Sequence, residues 1–180
     1  MLRTAAALAA VLLLAGCVPG EPVITPEPDP DATPVFASGE EALAAATEAY
    51  ARYLEVSDQI TADAGADPNR LKPFVTEKQL QDEVTAFEEW SQSGDSSVGE
   101  STFDTVTLQQ YAEEPDGHGT LTVYLCVDVS DVRIVDAQGT DTTPKERINR
   151  YPLEVSFDVV DADTVLIARS ESWPAANYCS

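Results

Sequence analysis

Between Leu121 and Val129 every second residue is apolar: Leu121, Val123, Leu125, Val127 and Val129, with Thr122, Tyr124, Cys126 and Asp128 between them. Only an extended chain puts alternate side chains on one face, so this run must be a strand with a buried row and an outward row. The same period of two returns in Leu153, Val155, Phe157 and Val159, set against Glu154, Ser156 and Asp158. Shorter stretches at Val106–Leu108, at Val132, Ile134 and Val135, and at 164–169 complete about five expected strands. Gly139 and the turn clusters Pro115-Asp116-Gly117-His118-Gly119 and Asp161-Ala162-Asp163 separate them.

Upstream the period is that of a helix. Ser38 followed three residues later by Glu41 forms a capping box, and Leu43, Ala46, Tyr50, Tyr53, Leu54 and Ile60 then recur at helical spacing up to Asp63-Ala64-Gly65. Asp67-Pro68 opens a short helical turn through Leu71 and Phe74. Thr76 with Gln79 forms a second box, followed by Leu80, Val84, Phe87 and Trp90 or Ser91, and Gly94 stops that helix. Helices first and a meander afterwards predict an α+β domain over 39–180, with N-terminal helices on one face of a curved antiparallel sheet. Val, Leu, Ile and Phe make up 42 of 180 residues, above the disorder border of about 20%, so a modest core is available.

The chain ahead of this domain has a different character. Arg3 precedes an unbroken apolar run from Ala5 to Leu14, too short to span a bilayer, which needs about 20 residues. A charged start, a short apolar stretch and small residues after it predict a signal peptide over 1–16. The run ends in Leu14-Ala15-Gly16-Cys17, which resembles the lipobox of bacterial lipoproteins. That resemblance implies that the Cys17 thiol is acylated, palmitate-type chains included, and becomes the mature N-terminus. Two acyl chains suffice for stable anchoring, at about 0.8 kcal/mol per buried CH₂. Residues 17–38 then read as a lipidated tether: six of the 12 prolines lie between Val18 and Ala37, with Glu21, Glu27, Asp29 and Asp31 and no Lys or Arg. Proline excludes helix and central strand, and twenty such residues reach up to roughly 60 Å.

Charge excludes whole classes of partner. With 10 Lys and Arg against 32 Asp and Glu, the formal net charge is -22. So anionic a surface neither neutralises nucleic-acid phosphates nor holds anionic lipid by a basic patch. Once Cys17 is assigned to lipid, Cys126 and Cys179 remain as a pair. In an oxidising compartment they favour a structural bridge that staples the tail to a central strand. The alternative is a reactive or metal-binding pair, for which no further ligands stand nearby in sequence.

Catalytic signals are faint. His118, the single histidine, lies between two glycines, and no Gly-x-Ser-x-Gly is present. It reads as a solvated loop residue rather than a triad member. Asp128/Asp131 and Asp161/Asp163 match no calcium-loop spacing. Tyr50, Tyr53, Trp90, Tyr111 and Tyr124 read as core aromatics or, alternatively, as pocket lining. No catalytic, metal or cofactor residues are assigned.

The element order resembles the nuclear transport factor 2-like, or cystatin-like cone, superfamily over roughly 39–180. The likeness is carried by the Tyr50/Tyr53 helix, the Leu71–Phe74 turn and the strands of the sheet. It implies a pocket between sheet and helices and, in a few members, isomerase or dehydratase activity. The expected function is a membrane-anchored binding or interaction module on the outer face of the cytoplasmic membrane. Its partner would be an envelope protein or a small ligand. The competing expectation is a small pocket enzyme (isomerase, dehydratase or hydrolase) on the same fold.

Overall fold

The computed structural model of the protein describes residues 34–114, 117–173 and 178–179. The expected leader, Cys17 and the tether as far as Thr33 lie outside these residues. Helix α1 spans Gly39–Ala62, a 3-10 turn spans Pro68–Leu71, and α2 spans Glu77–Ser93. Strands follow at Ser96–Val98 (β1), Thr102–Glu113 (β2), Gly119–Asp128 (β3), Arg133–Val135 (β4), Arg150–Asp161 (β5) and Thr164–Ser172 (β6). The class is α+β, with the helices covering one face of a curved antiparallel sheet.

Both N-cap side chains, Ser38 and Thr76, cap their helices. Ser38 Oγ accepts from the Glu41 amide at 3.2 Å, while Glu41 reaches back to the Ala37 amide at 2.8 Å. Thr76 Oγ1 accepts from the Gln79 amide at 3.4 Å. Just past the end of α1, Gly65 takes φ 79°, and a Cβ there would stand 2.5 Å from the Phe87 carbonyl oxygen. This glycine lets the end of α1 close onto the backbone of α2.

The main sheet has four strands in the order β2-β3-β5-β6 rather than five. The stretch from Val132 to Val135, expected to join it, leaves it: β4 pairs antiparallel with β1 in a separate two-stranded ribbon. The excursion from Val129 to Asn149 carries β4 away from the sheet and returns the chain to β5. Its ends are clasped by Arg147, whose Nη2 donates to the Val129 and Val132 carbonyls at 2.8 and 2.9 Å. β1 was not expected, because Ser96-Ser97-Val98 shows no apolar alternation. One outer edge is also partly closed: Ile167 of β6 bonds backbone to backbone with Phe74 and Thr76, both at 2.9 Å, capping that end of an otherwise open strand.

The core lies between α1 and the sheet. Leu121, Val123 and Leu125 of β3, Val155 of β5 and Ile167 of β6 are fully buried against Ala42, Ala46 and Ile60 of α1. Small alanines on the helix let it lie close to the branched side chains of the strands. Phe36 belongs to this core, with its ring 5.6 Å from that of Tyr111. The folded unit therefore begins ahead of the Ser38 cap, inside the stretch expected to be tether. A ring buried in the core outweighs the extended preference of the prolines before it.

The outward face of β3 is covered by the C-terminal tail. Cys126 is fully buried there and bonded to Cys179, with Cα atoms 5.6 Å apart across a sequence separation of 53. Tyr124, Trp173 and Tyr178 form an aromatic cluster beside the bridge, with Tyr124 and Trp173 centroids 4.5 Å apart. Thr105 holds the left-handed φ of 54°, rare for a β-branched residue, at a bulge in β2. The tail docks on that bulge. Tyr178 Oη donates to the Thr105 carbonyl at 3.0 Å, and Arg150 bridges Asp104 to the Cys179 carbonyl.

Closing a loop of this length removes chain entropy worth about 4 kcal/mol. Replacing both cysteines by alanine should therefore cost about 2–4 kcal/mol, read as a lower urea midpoint at pH 7. A midpoint unchanged from the oxidised protein would show that the staple adds nothing to the fold.

Candidate functional site

The concave side of the sheet and the two helices enclose an open cleft of about 510 Å³. α1 contributes Tyr50, Tyr53, Leu54, Ser57, Asp58 and Thr61, α2 contributes Gln79, Glu83 and Trp90, and the sheet contributes Val127, Tyr151, Leu153 and Ser170. Val129, Val132, Ile134 and Arg147, all from the β3–β5 excursion, close the remaining side. The helical period of α1 explains the first group, since residues three and four apart share one face. Arg147 and Tyr151 come from a distant part of the chain and carried no signal in sequence.

Polar groups in this cleft are bonded to one another. Tyr53 Oη donates to Glu83 Oε1 at 2.7 Å, and Gln79 Nε2 donates to the same oxygen at 2.9 Å. Trp90 Nε1 donates to the Thr61 carbonyl at 3.4 Å, and Thr61 shares a 2.8 Å hydroxyl contact with Ser97. Asp58 accepts from the Ser101 amide at 2.6 Å and from its hydroxyl at 2.7 Å. These bonds tie α1 to α2 and to the β1–β2 segment. They are the frame of the cleft.

Three tyrosines face this environment and are held protonated. Burial pushes the Tyr50 hydroxyl far above its usual range, reinforced by Tyr151, Glu83 and Asp58 nearby. Burial, then the charge and hydrogen bond of Glu83, do the same to Tyr53. Burial raises Tyr151 too, with Asp58 adding to it and Arg147 opposing it. A tyrosine shifted upward donates hydrogen bonds; it does not become a base or nucleophile at neutral pH. The arrangement suits recognition of a bound surface or molecule by apolar walls and a few fixed polar groups.

Tyr50, Tyr53 and Trp90 thus meet in the cleft, whereas Tyr111 pairs with Phe36 and Tyr124 lies under the tail. The His118 carbonyl accepts from the Glu114 amide at 2.7 Å and closes the β2–β3 hairpin. Asp128 and Asp161 accept from the amides two residues on, at 2.8 and 2.9 Å. Both acidic pairs serve turns. Among the described residues no group of three or more His, Cys, Asp or Glu side chains could hold a metal ion.

Tyr50 is 2% exposed, and its raised value means that the folded state keeps a proton that the unfolded chain releases near pH 10. Its contribution is complete below about pH 10 and is lost as pH rises above that. Tyr50→Phe should therefore leave urea stability at pH 7 nearly unchanged and flatten its decline between about pH 10 and 11.5 by roughly one proton per unfolding event. An unaltered slope would show that Tyr50 ionises freely in the folded protein.

No protein-family model and no curated protein matches this chain. Solved structures with this fold include two of extracytoplasmic regions. One is the intermembrane space region of the chloroplast protein ARC6, at TM-score 0.52 and 10% identity, covering 72% of this chain and 95% of that one. The other is a periplasmic fragment of TraM, at TM-score 0.50 and 16% identity, covering 76% of this chain and 98% of that one. Identities this low carry the fold and nothing more.

Proposed function

We propose that this protein is a lipid-anchored interaction module of the bacterial cell envelope, tethered through Cys17 and binding its partner at the cleft between α1, α2 and the sheet. The observation that carries the binding reading is the use of the cleft's polar groups. Glu83 and Asp58 accept hydrogen bonds that hold helices and loop in place. Tyr53 beside them donates to Glu83, and burial keeps Tyr50 and Tyr151 protonated, so the polar groups of the cleft are used to hold the fold rather than poised as an acid–base pair.

Several features support the location. Leu14-Ala15-Gly16-Cys17 stands at the end of a short apolar run and is followed by an acidic proline-rich stretch. The Cys126–Cys179 bridge fits an oxidising compartment. Among the described residues no helix is long and apolar enough to cross a membrane. A lipid would hold such a domain at the surface. Two structures of like fold are a periplasmic fragment of TraM and the intermembrane space region of ARC6.

Cys17→Ser should move the protein from the membrane fraction to the medium, and intact mass should show the loss of a diacylglyceryl group. A wild-type mature chain carrying no lipid would overturn the anchor. For the cleft, Val129→Trp should fill the space without touching the hydrogen-bonded frame and abolish a discrete photo-crosslinked adduct formed from a reactive residue placed at Ile148, which is 72% exposed beside Arg147. A turnover of any substrate that disappears in Glu83→Gln would overturn the binding reading in favour of an isomerase, dehydratase or hydrolase.

A further inference from the structure

A second hollow opens off the cleft and shares one element of its frame, the Asp58–Ser101 pair. It is a groove of about 640 Å³ between α1 and the 99–103 segment, and it meets the cleft at Leu54, Asp58 and Ser101, which line both. Its floor is apolar, built by Ala51, Leu54 and Phe103. Its charged lining is Glu55, Asp58 and Glu100, with no Lys or Arg. The Asp58 side chain is bonded to Ser101, but among the described residues the Glu55 and Glu100 carboxylates make no hydrogen bond or ion pair. Three like charges therefore surround an apolar surface with no counter-charge supplied by the groove itself.

The wall is stiff. Gly99 holds φ 102°, and a Cβ at this position would sit 2.1 Å from the Asp131 carbonyl oxygen, so the segment lies directly on the backbone of the excursion. Both donors of Ser101 on Asp58 pin the other end. A groove held this way needs little ordering when something binds to it.

Building on the interaction reading above, we propose that this groove docks a cationic, amphipathic segment of a partner protein. Lys or Arg side chains lie across Glu55 and Glu100, and the apolar side chains between them rest on Leu54 and Phe103. Charge complementarity selects the occupant: a protein of net charge -22 attracts cations over a long range and repels anionic lipid and nucleic acid. Length selects a chain segment over a small amine. The α1 side of the groove runs from Ala51 to Ala62, roughly 16 Å at a 1.5 Å rise, which accommodates about five extended residues.

The test uses the full chain in zwitterionic nanodiscs, with empty nanodiscs as blank, and a ten-residue peptide of alternating Lys and Leu read by calorimetry. Glu55→Gln with Glu100→Gln should weaken its binding about tenfold, an electrostatic loss that shrinks as salt rises from ~0.05 to ~0.5 M. Glu88→Gln with Glu89→Gln, exposed on α2 away from the groove, should change it less than about twofold. Replacing Leu by Ser in the peptide should weaken binding about tenfold through loss of apolar burial. Equal losses from the two double variants would mean diffuse attraction to an acidic protein and would overturn the proposal. Equal affinity for the Lys–Ser peptide, or for one with Glu in place of Lys, would do the same. Val129→Trp fills the cleft and leaves the groove open, so it should not alter this binding, and failure of the cleft reading is thereby distinguished from failure of this one.

Discussion

The fold depends on β3 being packed on its inward face and held at Tyr124 and Cys126 on its outward one. Its inward row, Leu121, Val123, Leu125 and Val127, supplies the centre of the core. Its outward row holds Tyr124 and Cys126, which take the C-terminal tail through stacked rings and a covalent bond. The buried row fixes the register, because a one-residue slip would turn all four side chains to the other face, and the bridge at Cys126 anchors the strand a second time. That register fixes β2 and β5 as its neighbours, and they place the cleft walls. Tyr151 of β5 stands opposite Val127 of β3, so both line the cleft at one level.

The bulge in β2 follows from the same requirement. With Thr105 in the left-handed region, β2 gains a kink beside the point where the tail arrives. Left-handed backbone at a threonine costs on the order of 1–3 kcal/mol, and Tyr178 and the Asp104–Arg150–Cys179 chain of contacts gather at that place. The bridge holds the tail, the tail bonds to the bulge through Tyr178, and two residues before Thr105 Phe103 meets Tyr50 edge-on, with ring centroids 4.9 Å apart.

Local periodicity made most of this legible. Both helices, their caps, the long strands and the two hairpin turns follow from apolar spacing at 3.6 or 2 residues and from Gly, Pro and Asp between them. The Cys126–Cys179 pairing followed from counting once Cys17 was set aside. What escaped is non-local. Ser96–Val98 has no pattern of its own and becomes a strand only because Arg133–Val135 lies beside it. That pairing in turn draws β4 out of the main sheet, which no property of Val132, Ile134 and Val135 could announce. Phe36 was hidden by its neighbours: prolines describe the chain before it, while a buried ring is decided by the far end of β2.

The cleft was the least legible part, and the reason is physical. Helical spacing brought Tyr50 and Tyr53 onto one face of α1, but whether such a face meets core or a cavity depends on what stands opposite. Here the excursion from Val129 to Asn149 holds that side apart from α1, and Arg147 keeps it in place by bonding to the carbonyls of Val129 and Val132. A guanidinium that clasps its own loop is a structural residue first. Its presence beside Tyr151 still tempers an otherwise anionic surface, since it opposes the upward pull of Asp58 on that hydroxyl. The inner cleft, where Arg147 stands beside Glu83 and Asp58 that are already engaged in hydrogen bonds, and the outer groove, whose lining adds Glu55 and Glu100 to Asp58 with no Lys or Arg, therefore differ in electrical character while sharing Leu54, Asp58 and Ser101 as a common sill. A single occupant spanning both would have to present positive charge outward and apolar or aromatic groups inward, and that ordering is a stricter filter than either hollow alone imposes.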